Sequence, residues 1–248
     1  MLGLLAGFFG IGGGVILVPI LTMLFHMERR KASGTSLGVV IFSAATALTM
    51  VWIQANPQGQ PAYRAAFLIL PFSVLASRFA AARIHLVSTG LLQRIFAFVL
   101  LFAAGRLAGL FDFAALSFGL SYSDFGLEHF LILPLLGLFV GTIAALLGIG
   151  GGVLIIPALA ILFKDLTPLE WRATSVLVVV PTSFMGFLRH HKQGTALLSW
   201  VRWIAPMAIL GSFLGSWFVE RMDPELLRTI FGGFLGVVGV KLLLEKRR

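Results

Sequence analysis

The chain has 248 residues, 58% hydrophobic and only 12% charged, with a mean hydropathy of +0.99 and a formal net charge of +9. A soluble domain carries about 25% charged residues, so too few polar side chains are present to cover a water-exposed surface. The basic residues fall between apolar runs, as in membrane loops, which argues against a nucleic-acid partner.

In chain order the apolar runs are 34–53, 65–82, 95–105, 130–163, 175–188, 203–219 and 230–244. Most approach the roughly 20 residues that a helix needs to cross about 30 Å of hydrocarbon. They lack the alternation of β-barrel strands, so the expected fold is an all-α polytopic membrane protein with the lipid bilayer as its partner. There is no cysteine, hence no disulfide framework and no thiolate metal site. His26, His85, His129, His190 and His191 show no zinc-ligand spacing with a carboxylate. No metal and no cofactor are expected. The first apolar stretch has no basic n-region and continues through glycines, unlike a signal peptide.

The chain carries one pattern twice. Residues 10–19 read GIGGGVILVP and residues 148–157 read GIGGGVLIIP. Gly34-Thr35-Ser36 is echoed by Ala173-Thr174-Ser175, Gly59 by Gly194, Pro71 by Pro206, Ala76-Ser77 by Gly211-Ser212 and Arg106 by Lys241. Offsets near 135 to 139 throughout mark a duplicated unit. The repeats are 1–110 and 127–248, joined by a linker, 111–126, that carries Asp112 and Asp124. About 19 residues (129–147) precede the second GIGGG but nine precede the first. Either residue 1 is a late start or the halves differ.

Four helices per half is the simplest count. With Arg78 set aside as lying within a helix, an eight-helix parallel duplication splits the loop Lys and Arg residues nine to nine and gives no orientation. If each half crosses an odd number of times, the second is inverted. One side then gains Arg29, Arg30, Lys31, Arg83, Arg94, Arg189, Lys192, Arg202, Lys241, Lys246, Arg247 and Arg248. The other keeps Arg64, Arg106, Lys164, Arg172, Arg221 and Arg228, a split of twelve to six. Residues 129–163 would also make about 52 Å of helix, too long for one crossing. The sequence therefore favours inverted-topology repeats, each with a GIGGG-broken or hairpin first element and with both termini cytoplasmic. Parallel duplication is the alternative.

Three consecutive glycines weaken a helix by about 1 kcal/mol each, and opened backbone within a membrane must be buried in protein or line a cavity. Paired breaks of this kind point to a transporter binding site. Gly12, Gly13 and Gly14, with Gly150, Gly151 and Gly152, are its candidates. The helices that restart at 15–25 and 153–163 begin with amides lacking an intrahelical partner, and these attract anions. Close helix packing by small residues is the competing reading. Gly10, Gly148, Pro19 and Pro157 are assigned to the helix breaks and kinks. Val15 and Val153 follow the glycines, so no Walker loop is present, and a Rossmann fingerprint would need a preceding strand.

Thr35-Ser36 and Thr174-Ser175 are expected to open the following helices, where their hydroxyls either cap or donate to an oxyanion. Thr182 and Ser183 join the same cavity, with Ser43 and Thr46 as looser counterparts. Arg78 either snorkels to the interface or neutralises an anion along the pathway. Arg106 and Lys241 fit interface anchors. No Asp or Glu lies well inside an apolar run, so no carboxylate proton relay is visible. His190 and His191 could carry protons, but they sit at a helix end beside Arg189 and Lys192, and facilitated anion movement or exchange fits the sequence at least as well as proton symport.

The paired GIGGGV-x-x-x-P motifs, with the Thr-Ser after the following loop, resemble the sulfite exporter TauE/SafE family, also called the toluene-sulfonate uptake permease family. The likeness runs through both halves, on Gly10, Gly12 to Gly14, Pro19, Thr35 and Ser36, and on Gly148, Gly150 to Gly152, Pro157, Thr174 and Ser175. The short segment before Gly10 departs from the family pattern. The resemblance implies a multi-pass permease of the cytoplasmic (inner) membrane for sulfite, sulfonates, sulfoacetate or thiosulfate. An anion channel or a facilitator for another small anion is the alternative. An intramembrane enzyme is not expected, because no Gly-x-Ser-x-Gly elbow, paired intramembrane aspartates or His-Glu-x-x-His is present. A homo-oligomer is left open.

Overall fold

The computed structural model describes residues 2–82, 89–107 and 120–244. Arg83, His85, Asp112, Lys246, Arg247 and Arg248 lie outside them, as does most of the linker. The described residues form ten α-helices: α1 (Leu2–Phe9), α2 (Gly14–Met23), α3 (Arg29–Gln54), α4 (Tyr63–Ala82), α5 (Thr89–Leu107), α6 (Leu127–Leu147), α7 (Gly152–Leu162), α8 (Pro168–Lys192), α9 (Leu198–Val219) and α10 (Pro224–Leu244). Four helices per half thus becomes five, because each glycine break divides what a hydropathy count joins.

Among the described residues, six helices are long and apolar enough to cross a membrane: α3, α4, α6, α8, α9 and α10. Their outward faces carry bulky apolar side chains, with Phe67 and Trp203 each 77% exposed and Met207 70%. Water would penalise such a surface, whereas lipid tails match it. The chain is a multi-pass helical membrane protein.

Polar side chains turn inward instead. Ser33, Thr35, Ser36 and Ser43 of α3, Ser73 and Ser77 of α4, Thr174, Ser175, Thr182 and Ser183 of α8, and Ser212 and Ser216 of α9 are all buried. Most are tied to backbone or to one another. Ser73 Oγ lies 2.7 Å from Thr182 Oγ1, Ser77 Oγ donates to Thr182 O at 3.0 Å, and Ser212 Oγ donates to Ser43 O at 2.6 Å.

The two longest helices, α3 and α8, form the centre and pack on each other. They run antiparallel. At one end Gly34 of α3 lies against His190 and Thr195; at the other Asn56 Nδ2 donates to Glu220 Oε2 at 3.3 Å, and Gly59 lies beside Leu169. Helix α1 packs on α9, α6 on α4, and α5 on α10. Glycines permit the first two contacts. Gly3 and Gly7 meet the backbone of Ala208 and Ser212, and Gly137 and Gly141 meet the carbonyls of Ile69 and Ser73. This four-residue spacing of small residues is the close-packing pattern of membrane helices.

The long apolar stretch 130–163 folds as a hairpin. The chain reverses at Gly148–Gly151, and α7 returns to the end where α6 began. There Phe163 stacks on His129 with ring centroids 5.6 Å apart. The expected helix starts at Thr35 and Thr174 need correction, since both residues sit about two turns inside α3 and α8. In α8 the cap is Thr167: Glu170 N donates to Thr167 Oγ1 at 3.2 Å, and Thr167 N donates to Glu170 Oε2 at 2.6 Å. That capping box satisfies two end groups reciprocally, and Pro168 follows at the first helical position.

Asp165, between α7 and α8, anchors the end of the linker. Its carboxylate accepts from Tyr122 N at 2.8 and 2.9 Å, Ser123 N at 3.2 Å and Ser121 Oγ at 3.0 Å. Partial burial works to raise its pKa, but the Tyr122 and Ser123 amides and the Ser121 hydroxyl outweigh it and hold the group below its ordinary value. A depressed carboxylate contributes stability above its unfolded pKa of about 3.9, and that stability is lost as pH falls through the lower folded value. The Tyr122 and Ser123 amides should therefore stay protected from hydrogen exchange at neutral pH in the unaltered protein and exchange faster in Asp165→Asn. Equal protection in both would show that the carboxylate charge does not hold this segment.

Candidate anion site at two crossed helix breaks

Each glycine of the two GIGGG segments has a local reason. Gly10, Gly12 and Gly13 have φ of +65°, +74° and +75°, and Gly148, Gly150 and Gly151 have +71°, +79° and +87°. L-residues with a Cβ avoid this left-handed region. Gly148 ends α6, with its amide donating to Ala144 O at 3.0 Å. Gly13 and Gly151 start α2 and α7, their carbonyls accepting from Leu17 N and Ile155 N, both at 3.1 Å. The last glycine of each run serves a different purpose. A Cβ on Gly14 would lie 2.6 Å from Gly148 O, and one on Gly152 would lie 2.7 Å from Gly10 O. The two breaks cross backbone against backbone, with no space between them for a side chain.

Gly12 and Gly150 approach the same point. A Cβ on either would meet Val40 Cγ1, at 2.5 and 2.6 Å, and Val179 Cγ1, at 3.5 and 3.4 Å. The carbonyls of the crossing are held by hydroxyls. Ser43 Oγ donates to Gly12 O at 3.0 Å and Ser175 Oγ to Gly10 O at 2.9 Å. The amides differ: those of Gly12 to Val15 and of Gly150 to Val153 find no acceptor among the described residues. Two buried hydroxyls, Ser36 Oγ and Ser183 Oγ, likewise have no partner. Ser183 Oγ would lie 3.1 Å from a Cβ on Gly150, placing a free hydroxyl beside the free amides. The crossing thus presents donors without acceptors at the positive ends of two helices, the requirement for holding an anion.

The other candidates divide. Thr35 Oγ1 accepts from Leu197 N at 3.1 Å, and Thr174 Oγ1 accepts from Ala62 N at 2.8 Å while donating to Glu170 O at 2.7 Å. Each satisfies the amide just before a helix of the opposite half, α9 or α4. Thr182 ties α8 to Ser73, and Thr46 bonds its own helix at Phe42 O. Arg78 is exposed on α4, off the buried face that carries Ser73 and Ser77. Pro19 and Pro157 lie inside α2 and α7, which continue through them. Lys241 is exposed in the last turn of α10, and Arg106 lies in α5 with its side chain outside the described residues.

One residue read as a loop charge belongs at the centre. Arg172 of α8 is fully buried. Its Nε donates to Gly7 O at 3.0 Å, Nη2 to Ser216 Oγ at 2.6 Å and Nη1 to Glu220 Oε1 at 3.1 Å. Gly7 is in the last turn of α1, so Arg172 caps the helix that enters the first break, and Glu220 matches its charge. The echo of Ser77 by Ser212 was the available signal for the buried hydroxyls of α4 and α9. Nothing local marks Arg172.

Around the first break the protein is shut: the cavity lined by Gly12, Gly13, Leu17, Val39 and Ser43 holds about 10 Å³, room for one water at most. Among the described residues no group of three or more His, Asp or Glu is placed to hold a metal ion.

The family model for the sulfite exporter TauE/SafE matches residues 1–107 and 133–248, a span that includes both breaks and the helices that follow them. The chain belongs to the TauE/SafE family. Among its relatives, a probable membrane transporter protein of Methanocaldococcus jannaschii is 27% identical over 98% of this chain and 92% of its own length. One from Bacillus subtilis is 23% identical over 98% of this chain and 96% of its own. One from Haemophilus influenzae is 32% identical, but over 48% of this chain and 47% of its own length. No solved structure matches significantly. The family assignment makes the protein a membrane transporter, and no catalytic activity is indicated.

Proposed function

We propose that this protein is a secondary transporter of small sulfur-containing anions such as sulfite, sulfonates, sulfoacetate or thiosulfate across the cytoplasmic membrane, with the crossed breaks as the substrate site. The observation that carries this reading is the set of unpartnered amides at Gly12 to Val15 and Gly150 to Val153, together with the free hydroxyl of Ser183. The anion class draws its support from the TauE/SafE description of the family.

In this reading the halves 1–110 and 127–248 are inverted repeats. The antiparallel course of α3 and α8 supports that, as does the exchanged packing of α1 on α9 and α6 on α4. Burial of Arg172 removes one cation from the poorer side of the charge count, leaving twelve against five, and so strengthens a cytoplasmic location for the richer end.

Counterflow tests the proposal. In proteoliposomes loaded with labelled sulfite or an aryl sulfonate, external unlabelled anion should accelerate efflux. Efflux indifferent to external anion would indicate a simple pore, and no efflux of any sulfur anion would sink the substrate class.

A further inference from the structure

The carbonyls at the ends of the two helices that enter the breaks are capped by different bases. Gly7 and Ala145 occupy matched places, each three residues before the first glycine of a GIGGG segment. Gly7 O accepts from Arg172, while Ala145 O lies 3.2 Å from His190 Nε2. Both bases come from α8. A helix C-terminus concentrates partial negative charge and favours a cation. Arginine keeps its charge at every physiological pH, whereas histidine changes charge within it.

The other side of the His190 ring is built for that change. Nδ1 lies 2.8 Å from Thr195 Oγ1, and the same hydroxyl lies 3.0 Å from His190 O. Ala145 O can only accept, so Nε2 carries a hydrogen in every state. When the Thr195 hydroxyl donates to Nδ1, the ring is neutral. When it rotates to donate to His190 O, its lone pair accepts from a protonated Nδ1. His190 O keeps its bond from Thr195 N, at 2.9 Å, in both cases. Neutral and charged rings are therefore both fully hydrogen-bonded without movement of a heavy atom. A fully buried histidine with a purely structural role needs only one of these states.

We propose that His190 is the proton-binding site that couples transport to the proton gradient, an inference that rests on the transporter reading above. Thr195 is half-buried in the short loop beside exposed Gln193 and Gly194, so protons reach the ring from that end through the hydroxyl. His190 shares a face of α8 with Ser183, seven residues and about 10 Å along the axis away. A proton on His190 places a positive charge behind the free donors of the second break, and an anion in that break favours the proton in return.

The charged groups toward this end of the neighbouring helices are, on α8 itself, half-buried Arg189 and exposed His191 and Lys192; on α3, exposed Arg29, Arg30 and Lys31, with Glu28 3.9 Å from Lys31; on α9, exposed Arg202; and on α4, exposed Arg78. Helix α6 has no ionisable residue after His129. Against these cations, an anion bound in the second break favours the charged ring. Proton and anion then travel together.

The test uses the whole protein in liposomes and an aryl sulfonate, which stays ionised at every relevant pH. A one-unit pH gradient coupled to one proton sustains up to about tenfold accumulation. The unaltered protein should reach a substantial part of that and acidify a trapped pH dye. His190→Gln, whose amide can still donate to Ala145 O, should exchange sulfonate by counterflow but show no gradient-driven accumulation. Accumulation at the unaltered level in His190→Gln overturns the proposal. Should that variant fail to fold, nitrogen NMR of histidine-labelled unaltered protein decides: the His190 ring should gain a proton as pH is lowered, and should do so at a higher pH when sulfonate is bound. A ring that stays neutral throughout overturns the proposal. Absence of sulfonate counterflow in the unaltered protein falls on the substrate reading alone, since the substrate-free titration is read without transport.

Discussion

Arg172→Ala should destabilise the protein by about 3–5 kcal/mol, the usual cost of leaving one member of a buried ion pair without its partner. The guanidinium is wholly enclosed and the Glu220 side chain is 6% exposed, so water cannot replace what is removed. Among the described residues, Glu220 would keep a buried negative charge with only Asn56 Nδ2, at 3.3 Å, to offset it. Gly7 O would keep only the Ser216 hydroxyl, at 3.3 Å. Glu220→Ala should cost a similar amount. The double variant Arg172→Met, Glu220→Met should recover most of the loss, because well-packed apolar residues replace a buried pair at little cost. Thermal unfolding of the detergent-solubilised variants measures all three. Additive losses in the double variant would show that the two charges act independently.

Gly151→Val should abolish anion transport and destabilise the protein by about 2–5 kcal/mol. Left-handed backbone costs a residue with a Cβ about 1–2 kcal/mol, and Gly151 has φ +87°. Its Cβ would also lie 2.8 Å from Val140 Cγ1 and 3.3 Å from Ala144 Cβ, and such overpacking adds about 1–3 kcal/mol. The strain falls on the residue whose carbonyl starts α7, so it disturbs the free amides directly. Gly13→Val, at φ +75°, should likewise abolish transport without preventing membrane insertion. Gly194→Ala is the control. It has φ +69° but nothing within 4 Å of its Cβ, so it should cost about 1–2 kcal/mol and leave transport intact. Counterflow in proteoliposomes, with membrane insertion checked separately, reads the difference. Full activity in both break variants would remove the glycine crossing from the transport path.

The sequence by itself determined that this chain lives in a membrane and that its helices break at Gly10–Gly14 and Gly148–Gly152. Both are local properties: run length sets whether a segment can span hydrocarbon, and three consecutive glycines together weaken a helix enough to favour a break. The family was legible too, because its motif is contiguous in the chain. Only the tertiary structure decided what the breaks touch and which polar groups are free. Ser175 is bound to Gly10, 165 residues away, and Thr35 to Leu197, 162 residues away. Ser36 and Ser183 keep unpartnered hydroxyls, although in sequence the four are equivalent candidates. Arg172 lies near the start of its helix, where a loop charge is the natural reading, and becomes interior only because α1 and α9 close over it. A buried charge or hydroxyl is defined by the groups that replace its water, and here those groups come from distant parts of the chain.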